Sequence, residues 1–157
     1  MDEWKEWKQK FEALSEEELE KLAILRVMEC TNGVIQYAWR DDASYKLPIE
    51  ETRRAMQFSM GCIKRMEIPL GEETLTFGDD TKELFNEVRR LYMSGAKNGN
   101  EEDYTKFLVV SAIMINVLGK DRILKAKDKL AQHITEIAPE NLNWGVEYMF
   151  QSIPKES

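Results

Sequence analysis

The chain has 157 residues, 43% of them apolar, with 29 acidic against 22 basic side chains and a formal net charge of −7. That length and apolar content fit one domain with a real core, spanning residues 1–157, and exclude a disordered chain. The negative charge disfavours broad nucleic-acid binding, because a phosphate backbone is repelled wherever basic residues do not cluster.

The first ten residues, MDEWKEWKQK, lack a basic region followed by an apolar run, so no signal peptide is expected. No segment reaches the ~20 apolar residues of a membrane helix. A cytoplasmic chain with no membrane partner is the expectation. Cys30 and Cys62 form no CxxC and sit in apolar contexts, so two reduced, buried thiols are expected.

Trp4, Trp7, Phe11 and Leu14 recur at helical spacing and define one face of a short first helix. Ser15 with Glu18 matches a capping box, which starts a second helix near residue 16. Its apolar positions run through Ile35 and Ala38. Asn32-Gly33 interrupts them, and residues 34–39 also alternate like a strand, but helix to about Arg40 is the favoured reading. Asp41 to Leu47 reads as a loop. Pro48 then opens a third helix, with Ile49, Met56, Met60, Ile63 and Cys62 as its core face. Pro69 and Gly71 end that helix, and the alternation around Gly71-Glu72-Glu73 predicts a small β-hairpin near 67–78.

Asp80 or Thr81 is the candidate cap of the next helix, whose apolar face is Leu84, Val88, Leu91 and Tyr92. SGAKNGN, residues 94–100, looks like a flexible joint. Asn100 with Glu101, Glu102 and Asp103 starts a helix over about 101–118. Within it, ten of the twelve residues Phe107–Leu118 are apolar, which predicts the buried core helix of the domain. Gly119 is its stop. Ile123, Ala126, Leu130, Ile134 and Ile137 line the following helix until Pro139. A last short helix carrying Leu142, Trp144 and Val146 closes the core. The fold class is therefore mainly α: a bundle of six or seven helices around residues 101–118, with one small hairpin.

Chemistry is harder to find. His133 is the sole histidine, and a catalytic zinc site needs three protein ligands. The carboxylates Glu16-Glu17-Glu18-Glu20, Glu50-Glu51, Asp79-Asp80 and Glu101-Glu102-Asp103 lie at helix starts, where capping and dipole compensation already account for them. No phosphate-binding glycine loop is present. No catalytic residue, metal or cofactor is assigned. Arg122, Lys125 and Lys129 share one helical stripe and form a candidate anion-binding site. Arg53, Arg54, Lys64, Arg65, Arg89 and Arg90 add to it only if the fold brings them alongside.

The leading expectation is a non-enzymatic protein-binding module: a regulator, inhibitor or immunity-type factor. Its surface is the aromatic stripe Trp4, Trp7 and Phe11 with the acidic Glu3 and Glu6, since tryptophan anchors binding sites and negative charge steers a basic partner. The partner is another protein or a second copy of the chain. The alternative is a metal-dependent helical hydrolase built from the carboxylates. A third reading is a nucleic-acid binder using the basic stripe.

Overall fold

A computed structural model describes residues 2–40, 49–133 and 139–151. Seven α-helices and one hairpin account for nearly all of these residues. They are α1 (Asp2–Glu12), α2 (Glu16–Ala38), α3 (Ile49–Arg65), β1 (Glu67–Leu70), β2 (Glu73–Thr76), α4 (Asp79–Tyr92), α5 (Glu101–Leu118), α6 (Lys120–His133) and α7 (Pro139–Gln151). The mainly α bundle with a small hairpin is what the sequence predicts. Among the described residues no helix is long and apolar enough to cross a membrane. The expected Asp41–Leu47 loop and the Pro48 start of α3 lie outside the described residues, as do Ile134, Glu136 and Ile137.

The centre of the bundle is α2, not α5. Fourteen of the residues between Leu19 and Ala38 are buried, against five on α5: Val110, Ser111, Met114, Ile115 and Leu118. Helices α3, α5, α6 and α7 all pack on α2. The seam with α7 is the closest: a Cβ at Gly145 would lie 3.0 Å from both the Cα and N of Thr31. Helix α5 instead lies at the edge, covered by α1 on one side and α4 on another. Its Phe107, Ile113 and Val117 pack against the core while staying half-buried.

Asn32-Gly33 does not stop α2, which runs on to Ala38 with Trp39 as its cap. Tertiary packing overrides the local cost of about 1 kcal/mol for a mid-helix glycine. Trp39 Nε1 donates to Thr52 Oγ1 at 2.9 Å and joins the end of α2 to the first turn of α3.

Helix α3 is rotated relative to its predicted core face. Ile49 and Met60 are exposed and Met56 is half-buried. The face turned inward carries Thr52, Ala55, Ser59, Cys62 and Ile63. Small side chains let α3 lie close against α2, so hydrophobicity was the wrong guide to its orientation. Both Cys30 and Cys62 are buried, and no disulfide joins them.

The hairpin pairs Leu70 with Glu73 across Gly71, whose φ of 65° sits in the left-handed region that glycine tolerates. Ile68 and Leu70 point into the core.

Two helix starts share one carboxylate. Ser15 accepts from the Glu18 N–H at 3.1 Å, as a capping box requires. The Glu18 carboxylate, however, reaches across to α4. It accepts from the Gly78 N–H at 3.3 Å and from the Thr81 hydroxyl at 2.6 Å. The α4 cap position is thus Gly78, not Asp80 or Thr81, and the capping oxygen comes from sixty residues away.

Residues 94–100 are also more structured than their composition implies. Met93–Lys97 make a π-helical turn continuing α4. Gly95 sits against α5 so closely that a Cβ would collide with the Tyr104 backbone, and Ser94 donates to Asp103 at 2.6 Å. Asn100 caps α5 as expected, accepting from the Asp103 N–H at 3.0 Å, and Gly119 ends it.

Candidate functional site

The N-terminal aromatic stripe divides into an anchor and an edge. Phe11 is 1% exposed and belongs to the core. It therefore offers nothing to a partner, contrary to its expected role in the binding surface. Trp4 and Trp7 pack against the core yet remain half-buried. The Trp7 and Phe11 rings stack with centroids 6.0 Å apart, and Lys10 Nζ lies 5.3 Å from the Trp7 ring centre. Glu3 and Glu6 are exposed. Lys5 and Lys8 are exposed on the same helix, and Lys8 pairs with Glu12 at 3.6 Å, so α1 is less acidic than its carboxylates alone indicate.

The basic stripe of α6 lines a groove of about 240 Å³ with the start of α2. Arg122, Lys125 and Lys129 stand on one wall, and Glu17, Glu20 and Lys21 on the other. Most of this charge is already answered. The Arg122 guanidinium holds both Glu16 oxygens, at 2.6 and 2.8 Å, and also donates to the Leu118 carbonyl. Lys125 meets Glu20 at 3.5 Å, and Lys21 meets Glu17 at 3.3 Å. Arg122 is thus a brace between the end of α5 and the start of α2, where it satisfies a terminal carbonyl. The four cations of α3 do not join this stripe, because α3 packs on α2 and β1 rather than on α6.

The carboxylate clusters stay apart. Glu50-Glu51, Asp79-Asp80 and Glu101-Glu102-Asp103 occupy the first turns of three different helices. Among the described residues, no group of three or more His, Cys, Asp or Glu side chains could hold a metal ion. His133 is exposed at the end of α6, beside the hairpin: a Cβ on Gly71 would stand 3.1 Å from its Nδ1.

Sequence reading overlooked the polar groups inside α2. Arg26 is 7% exposed and ion-pairs with Glu29 one turn on. Burial opposes its charge, but negative charge from Cys30, Glu29 and Tyr148 outweighs that and turns the shift upward. Burial also pushes the Cys30 thiol up to about 11, with Arg26 pulling the other way. Asn32 is buried with neither side-chain amide atom hydrogen-bonded, a state that costs about 1–3 kcal/mol. The legible signal was an arginine inside the apolar run LAILRVMEC.

Set beside known protein families, characterised proteins and solved structures, the chain matches none of them.

Proposed function

We propose that this chain is a non-enzymatic protein-binding module, of the regulator, inhibitor or immunity-factor kind, and that the outer edge of α1 is its contact surface. The observation that carries this reading is the split within the aromatic stripe. Phe11 is sunk in the core and fixes α1 on the bundle. Trp4 and Trp7 keep part of their indole surface in solvent, flanked by the exposed Glu3 and Glu6. A pre-positioned indole has few rotatable bonds left to order, so docking against it costs little entropy. The overall charge of −7 favours a basic partner.

The hydrolase alternative loses its support because the carboxylates do not converge among the described residues. Nucleic-acid binding through Arg122, Lys125 and Lys129 loses its support because Glu16 and Glu20 already occupy two of those cations.

The test uses charge reversal at exposed positions, which leaves the fold alone. A Glu3→Lys, Glu6→Lys chain should melt with the parent and fail to retain a protein that the parent captures. The purified partner should then bind the parent, and binding should weaken as salt rises. Identical retention by both chains sinks the reading. Sedimentation of the parent alone checks whether the occupant is a second copy.

A further inference from the structure

The outward rotation of α3 leaves a face that its own fold does not use. Ile49 and Met60 are 61% and 48% exposed. Arg53, Arg54, Lys64 and Arg65 are all exposed on the same side of the helix, and among the described residues none of them pairs with a carboxylate. Glu50 and Glu51 sit in the first turn, and from Thr52 to Met66 the sequence has no acid. Elsewhere cations lie among carboxylates, either paired with them, as Lys21, Arg26 and Arg122 are, or interspersed with them on one helix, as Lys82, Arg89 and Arg90 are with Asp79, Asp80, Glu83 and Glu87 on α4. A run of unmatched cations on a chain of charge −7 is therefore a segregated patch.

Gly61 leaves a gap beside this patch. A Cβ there would meet nothing within 4 Å, whereas Gly95 and Gly145 are demanded by backbone in contact with them. A mid-helix glycine costs about 1 kcal/mol relative to alanine. At Gly61, as at Gly33, no internal contact accounts for that cost, but Gly61 stands next to the exposed Met60, where the missing side chain leaves room for another backbone to come close.

We infer that the outer face of α3 is a second docking surface, separate from α1, and that its occupant is an acidic helical segment of a partner protein. Two cation pairs, Arg53-Arg54 and Lys64-Arg65, stand eleven positions apart on the helix, or roughly 16 Å at about 1.5 Å per residue. The segment meets them with two acid pairs of the same separation and seats an apolar side chain on Met60 beside Gly61. The exposed Ile49 and Met60 favour a protein over a phosphate backbone, which would leave apolar surface uncovered. Two apolar side chains are too little to insert into a lipid surface, and the remaining negative charge repels an anionic one.

The test uses the whole chain and a synthetic helical peptide with two Glu pairs eleven residues apart and leucines between them. Binding should weaken about tenfold in an Arg53→Glu, Lys64→Glu chain and fall with added salt. If charge reversal unfolds the chain, Arg53→Gln with Lys64→Gln should show the same loss. A Glu3→Lys, Glu6→Lys chain should bind the peptide normally, so the α1 reading can fail without this one. Equal binding by the α3 variants overturns the inference, and so does equal binding of a peptide whose acid pairs are four residues apart. Tighter binding of a single-stranded oligonucleotide, or of vesicles rich in anionic lipid, overturns the choice of partner.

Discussion

Helices α2 and α5 exchange the roles their sequences suggest. Helix α5 holds the longest apolar run, and α2 carries Arg26, Glu29, Thr31 and Asn32 through its middle. Yet α2 is buried over most of its length and α5 on one face only. Apolar content says what a helix tolerates, and the number of neighbours decides what it receives. Helix α2 is surrounded because α3, α6 and α7 all need a partner for their own apolar stripes. Helix α5 spends its surplus on α1 and α4, which cover it only in part.

The largest expected effect compares their cores directly. Leu25→Ala, at a site with no exposure, should cost about 2–5 kcal/mol in urea unfolding. Ile113→Ala, half-buried, should cost less than half as much. Equal losses would return α5 to the centre of the fold.

The α2–α7 seam gives the next effect. Gly145→Ala forces a methyl onto Thr31 and should cost about 1–3 kcal/mol. Gly33→Ala, with nothing near its added carbon, should instead stabilise by up to about 1 kcal/mol. A neutral Gly145→Ala would show that the two helices can separate without penalty.

The helix starts differ more subtly. Glu18→Ala removes the acceptor for both Gly78 and Thr81, and should cost about 1–2 kcal/mol. Asn100→Ala removes a local cap from α5 and should cost about 1 kcal/mol or less. Thermal melts of the two variants at equal ionic strength make the comparison.

The last comparison is a pH dependence supplied by α2, confined to alkaline solution. The Cys30 thiol titrates near 11 in the folded chain, above its ordinary value of 9.0. Below pH 9 it is protonated in both folded and unfolded chains, and its contribution is fully present. Between pH 9 and 11 the unfolded chain gives up the proton first, so stability falls as pH rises. Cys30→Ala should flatten that part of the melting-temperature profile. A profile identical to the parent's would mean that the thiol is not held in its neutral form.

The element boundaries were legible because their signals are local. Ser15, Asn100 and Gly119 each mark an end through the chemistry of one or two residues. What could not be read was which way each helix turns. On α3, Ile49 and Met60 outrank Thr52, Ala55 and Ser59 in hydrophobicity, but close approach to α2 rewards small size. Nor could sequence place Phe11 in the core while leaving Trp4 and Trp7 half-covered, because that depends on where α5 lies. The α6 stripe was found as a pattern, but its neutralisation by Glu16 and Glu20 involves residues more than a hundred positions away. Gly78 drew no notice as a cap because its capping oxygen lies sixty positions away.

Arg122 has a consequence for how the chain breathes. Its guanidinium touches the last turn of α5 and the first turn of α2 while its backbone lies in the first turn of α6. Three helix ends that would otherwise fray separately are tied through a single planar group. Their amide protons should then exchange with solvent through a shared opening rather than three independent ones. Lysine at this position would keep the charge but cannot hold Glu16 in a two-pronged grip and reach the Leu118 carbonyl at once. With lysine there, the three ends should exchange at three different rates.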